Sequence, residues 1–219
     1  MGTDNLHHRR KQRKLDSFRR NYGNKEPYEV VLIVCEGEKT ERFYLESLRE
    51  DLKLRKANVK IIGRGADPKT IVDDAIKEFE KSRDAPYDKV YCIFDQDQHQ
   101  SFQSALNEVN RHQRKIPMHA IVSIPCFEYW ILLHFEDTTR PYLRKGKKSP
   151  GDQLVSELMR HIRDYKKGDK KIYEKTKHLL DTAISRAEKI EKEQSKNFSD
   201  NPSTKIHNLV KYLQQLKLT

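Results

Sequence analysis

Two hydrophobic periods alternate along this chain. Residues 28–35 form a run rich in β-branched apolar side chains, as in a strand buried on both faces, and Gly37 ends it. Over residues 38–53, Phe43, Leu45, Leu48 and Leu52 recur at roughly helical spacing, which predicts an amphipathic helix. Val59 to Ile62 reads as a second strand stopped by Gly63 and Gly65. Asp67 and Pro68 then open a helix carrying Ile71, Val72, Ala75, Ile76 and Phe79. Residues 88–94 predict a third strand, 101–115 a helix, 118–123 a fourth strand, and the apolar, aromatic stretch 126–135 a buried helix. Strands alternating with helices argue for an α/β fold: a mainly parallel four-stranded sheet flanked by helices.

Outside this rhythm the pattern changes. Residues 1–27 show no hydrophobic period and read as a flexible basic arm before a core over 28–139. Residues 140–178, rich in Lys, Arg and Gly, read as a basic insertion with a helix over 151–165. Two closing helices, 179–197 and 204–217, are expected to pack on the core within 179–219. They are separated at Asn201 to Thr204, where Ser203 or Thr204 can serve as an N-cap.

Composition sharpens this picture. Hydrophobic and charged residues each make up 35%, which suits a modest core with polar extensions. Basic groups outnumber acidic ones eight to three in residues 1–28 and thirteen to five in 140–178, an excess larger than the net charge of +11. The positive charge therefore lies outside the segment that carries the acidic motifs. Basic arms around an acidic centre suit a polyanionic partner, the alternative being a Lys-rich solvated surface without one. No apolar run is long enough to span a bilayer and no hydrophobic stretch follows the basic N-terminus, so the protein is expected to be soluble and cytoplasmic. Cys35, Cys92 and Cys126 are scattered in apolar surroundings and read as small buried hydrophobes, not as a disulfide framework or a zinc site.

The candidate chemistry lies at strand ends. Glu36 directly follows the first strand, and Asp95 and Asp97 follow the third. In parallel α/β sheets ligands bind outside the carboxyl ends of the strands. Converging carboxylates repel unless a cation neutralises them, and an all-oxygen, highly charged set suits Mg²⁺ or Mn²⁺. The bland alternative is a pair of solvated turns. Glu41 is a further ligand or an acidic first helical turn. Glu128, at the head of an apolar stretch, is a fourth acidic ligand or a structural glutamate. His134, Tyr129, Trp130 and Phe135 read mainly as core. Lys39, Arg64 and Lys69 stand at strand ends or helix starts where they could meet a phosphate. Lys145, Lys147, Lys148, Lys166 and Lys167 supply the basic insertion with charges for a nucleic-acid backbone.

These residues also form a pattern. Glu36 after the first strand with Asp95 and Asp97 after a later one resembles the Toprim fold of topoisomerases, bacterial primases and overcoming-lysogenization-defect nucleases. The longer pattern is Glu36 to Glu41 with Tyr44; Asp95 and Asp97; Ser123 to Trp130; His134 and Phe135; and Asn201 to Thr204 with His207, Leu209 and Val210. It resembles the RloB-like (AbiLii-like) family of bacterial restriction and abortive-infection loci. One departure is Ile124, where Asn before the proline is more typical. The resemblance covers nearly the whole chain after residue 28. It implies a Toprim-like, Mg²⁺-dependent nuclease of anti-phage defence with an ATPase partner, and it brings Thr204 and His207 towards the site. RNA (transfer RNA included) and DNA both remain open as substrates, as does a homo-oligomer. A catalytically silent nucleic-acid-binding subunit is the alternative. A nucleotide phosphotransferase is disfavoured, because no Gly-rich phosphate loop is present.

Overall fold

The computed structural model describes residues 29–56, 58–82, 87–96, 100–197 and 200–218. The expected basic arm over 1–27 lies outside the described residues. Four strands are parallel: β1 (Val31–Cys35), β2 (Val59–Gly63), β3 (Lys89–Asp95) and β4 (Met118–Ile124). A fifth, β5 (Ser203–Thr204), runs antiparallel to β4, and the order across the sheet is β2-β1-β3-β4-β5.

Alternation along the central strands divides the core. Val31, Ile33 and Cys35 of β1, with Tyr91 and Ile93 of β3, face one layer. That layer contains α1 (Thr40–Asp51), α4 (Glu128–Leu132), α5 (Pro150–His161), α6 (Ile172–Thr176), α7 (Leu180–Asn197) and α8 (Ile206–Leu218). Leu32, Val34, Val90, Cys92 and Phe94 face the other, where α2 (Pro68–Lys81) and α3 (Phe102–His112) contribute Ile71, Val72, Ala75, Ala105 and Val109. With both faces covered, β1 is apolar and buried at every position instead of alternating polar and apolar.

Local signals explain the helix boundaries. The Asp67 side chain caps α2 by accepting from Lys69 N at 3.1 Å, with Pro68 in the first turn. Ser149 and Asp152 form a capping box at the head of α5. From residues 140–178, Leu154, Leu158, Ile162, Tyr165, Ile172 and Tyr173 enter the same core as α1. Buried Glu157 ties this segment down, accepting from Tyr142 Oη at 2.7 Å and pairing with Arg140.

The sheet differs from the four strands expected. Ser203 and Thr204, read as N-cap candidates, instead pair with Ile124 and Ser123 as a short edge strand, with Ser123 Oγ and Thr204 Oγ1 3.0 Å apart. A two-residue strand carries no period, so hydrophobic patterning has no purchase on it. Thr204 Oγ1 still accepts from Ile206 N at 3.2 Å, so the capping chemistry is present one step ahead of α8. The 126–135 stretch is buried as expected, but only Glu128–Leu132 is regular α-helix.

Leu48 is fully buried between α1 and the sheet. Leu48→Ala is expected to lower unfolding free energy by about 3 kcal/mol through lost transfer energy and a residual cavity, as read by urea denaturation. A change below about 1 kcal/mol would show that this packing is looser than described.

Candidate functional site

The strand order creates the site. From β1 the chain crosses to β2 on one side, while β3 lies on the other, so the carboxyl ends of β1 and β3 flank a switch point where the connections diverge. Glu36 leaves β1 there and Asp95 ends β3. Glu36 N donates to Ile93 O at 2.9 Å, and Asp95 N donates to Glu36 Oε2 at 3.1 Å. At the head of α1, Glu41 Oε2 accepts from Gly37 N at 3.0 Å. Close backbone approach holds this corner: a Cβ on Gly63 would lie 2.8 Å from Gly37 O. Gly65, at φ +62°, donates from its N to Glu36 O at 2.8 Å, and a Cβ there would collide with Glu38.

The result is a cavity of about 580 Å³ whose wall includes Glu36, Glu41, Asp67, Asp95, Glu128 and Lys167. Asp95 follows the parity of Tyr91 and Ile93, which directs it to the layer of α1 and α4, where Glu41 and Glu128 stand. Glu128 is buried at the first turn of α4, with Lys167 Nζ 3.4 Å from its Oε2 and Tyr165 Oη 3.5 Å from its Oε1.

The electrostatics follow from crowding carboxylates at the edge of an apolar sheet. Burial pushes the Asp95 carboxyl well above its ordinary pKa, and the charges of Glu41, Glu128 and Glu36 push it further. Asp95 Oδ1 is buried with no hydrogen-bond partner among the described residues. Burial likewise raises Glu41 to about 8, against the opposing Gly37 N–H and with help from Glu36 and Glu128. Asp67 goes the other way, to about 2, because Thr70 and Ser101 hydroxyls and the backbone amides of Lys69 and Thr70 favour its charged form.

Glu36, Glu41, Asp95 and Glu128 thus meet around one cavity, and Lys39 and Lys167 reach its wall. Asp97 lies outside the described residues. Among the described residues no group of three or more His, Cys, Asp or Glu is arranged so that it could hold a metal ion. Three of the carboxylates instead answer to an amide or an ammonium of the protein itself. Lys145, Lys147 and Lys148 form an exposed turn next to the head of α5, and Lys166 is exposed beside Lys167. Arg64 is engaged elsewhere, 3.0 Å from Asp74 and 3.9 Å from Glu78 on α2, and Lys69 pairs with Asp73. His207 is fully buried, 3.0 Å from Glu191 Oε2, and is not part of the cavity wall. His134 is core: its Nδ1 faces Trp130 O at 3.1 Å, Tyr44 Oη lies 3.4 Å from its Nε2, and burial lowers its pKa to about 4.

Two features were missed in the sequence. Asp67 signalled only a helix start, yet it lines the cavity. The loop over 163–171 docks on the head of α1 through Gly168 N, which donates to Thr40 Oγ1 at 2.8 Å. The glycine inside a lysine-rich loop was the available signal, but nothing local reveals a contact across 128 residues.

A family model described as RloB-like protein matches residues 31–213. Neither the curated proteins nor the solved structures give a match.

Glu41 yields a prediction. Its folded-state pKa of about 8 lies above the ordinary 4.5, so its ionisation opposes folding, and the penalty grows as pH rises from 4.5 and is complete above about 8. In metal-free buffer Glu41→Gln is expected to melt above wild type at pH 8.5, with the difference vanishing towards pH 4.5. Equal melting temperatures at the higher pH would remove the basis for a buried, repelled carboxylate.

Proposed function

Because the chain belongs to the RloB-like protein family, we propose that it is a divalent-metal-dependent nuclease that hydrolyses phosphodiester bonds of nucleic acid in anti-phage defence. The observation that carries this reading is the Asp95 carboxylate. Asp95 is half-buried, its buried Oδ1 has no hydrogen-bond partner among the described residues, and Glu36, Glu41 and Glu128 share its cavity and repel its charge. An all-oxygen donor set of this charge fits a hard cation such as Mg²⁺ or Mn²⁺ better than a soft one. Glu36, Asp95 and Asp97 would hold the ion. When bound, it would supply a Lewis acid for the phosphoryl oxygen and lower the pKa of a water.

The protein's own groups do the rest. Glu41 Oε2 accepts from the Gly37 amide, and without an ion in the cavity burial and the neighbouring carboxylates raise its pKa to about 8. Lys39 and Lys167 at the wall would take phosphate oxygens, and Lys145, Lys147, Lys148 and Lys166 extend the positive surface along which a backbone would run. Phe127 closes part of the cavity against water. An ATPase partner belongs to this reading through the family pattern alone.

A second reading, a nucleic-acid-binding subunit with a silent site, is favoured by the internal partners that Glu36, Glu41 and Glu128 already have. One experiment separates the two: Mg²⁺- and Mn²⁺-dependent cleavage of transfer RNA, single-stranded RNA, plasmid and single-stranded DNA by wild type and by Asp95→Asn/Asp97→Asn. Nuclease action predicts metal-dependent cleavage that falls by more than about a hundredfold in the double variant, beyond the loss seen for residues that only orient a ligand. Binding should be kept, since repulsion falls. Undiminished cleavage by the double variant would sink the mechanism. Binding without cleavage by wild type, alone and with its partner, would establish the silent subunit.

A further inference from the structure

The acidic cavity contains a cation that belongs to the chain. Lys167 sits in the loop between α5 and α6, and that loop is fixed at its backbone. Gly168 N donates to Thr40 Oγ1 at 2.8 Å, at the head of the helix that carries Glu41. Gly168 has φ +81°, and a Cβ there would lie 3.2 Å from Lys39 Cβ, so the loop lies flat on the stem of Lys39. Lys175 ties down the other side, 2.9 Å from Asp169 Oδ2 and 3.0 Å from Asp164 Oδ1. The anchor is thus held in place while the side chain stays 60% exposed, as befits a flexible four-carbon stem ending in a point charge.

The contact this side chain makes is loose. Its Nζ is 3.4 Å from Oε2 of Glu128, a carboxylate only 4% exposed, whereas a tight ammonium–carboxylate hydrogen bond is about 2.7–2.9 Å. The ammonium also acts on Glu41 and Asp95 through space. Arg64, by contrast, is committed to two carboxylates on the outer face of α2. Lys167 therefore has an exposed charge on a loop hydrogen-bonded at its backbone, and a place on the wall of a cavity where carboxylates are in excess.

We propose that Lys167 is the tethered counter-cation of this cavity. It neutralises Glu128 and, through space, Glu41 and Asp95 when no divalent ion is bound, opposes that ion's entry to the same cavity, and swings outward to a substrate phosphate when the ion enters. The proposal rests on the metal reading above. It makes Lys167 a positioning residue that couples ion entry to backbone binding, and coupling of this kind is reciprocal: what the ion does to Lys167, Lys167 does to the ion. A strut that merely held Glu128 in place would have the opposite sign, because its removal would loosen a ligand and weaken ion binding.

The test uses the full chain as wild type, Lys167→Met, which keeps the stem without the charge, and Lys167→Arg, which keeps the charge. Mn²⁺ affinity is measured by titration calorimetry at pH 8 and low salt, and melting is followed in EDTA and in saturating Mn²⁺. The expected result is about tenfold tighter Mn²⁺ binding by the Met variant, within the usual range for coupled sites. Its melting temperature should be lower in EDTA, with the deficit closing in saturating Mn²⁺, while the Arg variant stays near wild type. Equal or weaker Mn²⁺ binding by the Met variant, with wild type binding normally, would overturn the counter-cation role alone. No Mn²⁺ binding by any of the three would overturn the metal reading and this inference with it.

Discussion

Carboxylates at the rim of an apolar sheet repel one another and lose hydration, and the organisation of this protein depends on how that repulsion is contained. An isolated ionised carboxylate in an apolar setting costs several kcal/mol or changes its protonation instead. Each group here has its own solution. Glu36 takes the amide of Asp95, Glu41 takes the amide of Gly37 and a raised pKa, and Glu128 takes Lys167 and the Tyr165 hydroxyl. Asp95 is left with an oxygen that no group among the described residues satisfies. A cluster kept in this condition costs stability, which is the usual mark of a site retained for chemistry.

The fold supplies the containment. Because β1 and β3 are neighbours while their connections leave in opposite directions, the backbone amides at their ends are free to meet side chains. Gly63 and Gly65 let the β1–α1 and β2–α2 corners approach closely, Gly63 against Gly37 O and the Glu38 backbone and Gly65 against the Glu38 side chain. In the core beneath, Tyr44 packs edge-on against Phe127, Trp130 and Tyr173, joining α1 to the segment that carries Glu128 and to α6, which follows the Lys167 loop. The apolar layer and the acidic site are therefore mechanically one unit.

Lys39 and Lys167 stand on the wall of this centre, and other cations lie around it. Several surface cations are spent on local pairs, such as Arg64 with Asp74, Lys60 with Glu78 and Lys189 with Asp137. Exposed pairs of this sort contribute little to stability, on the order of 1 kcal/mol or less. Lys167, in the loop after α5, differs because it lines the acidic cavity, and with Lys148 it also bears on Asp152 in the first turn of α5. A polyanion approaching along this border would meet attraction first and the carboxylates last.

The sequence alone determined the α/β alternation, the parallel core strands and the positions of Glu36 and Asp95 at strand ends, because buried strands must be continuously apolar and the first polar residue after each is forced to the sheet's edge. It also marked Glu128, since a lone carboxylate heading an apolar stretch has to be explained. Local signal could not extend further. The short strand Ser203–Thr204 has no period of its own and exists because the edge of β4 needs a partner. Arg64 and Lys167 both read in the sequence as cations for a nucleic-acid backbone, yet one is bound to α2 and the other reaches Glu128. His207 fits the family pattern, but packing between α7 and α8 buries it against Glu191 instead of turning it to the cavity. Which groups meet across 39 or 128 residues depends on how layers stack, and only the tertiary structure decides it, because interaction energy depends on distance and burial and not on order along the chain.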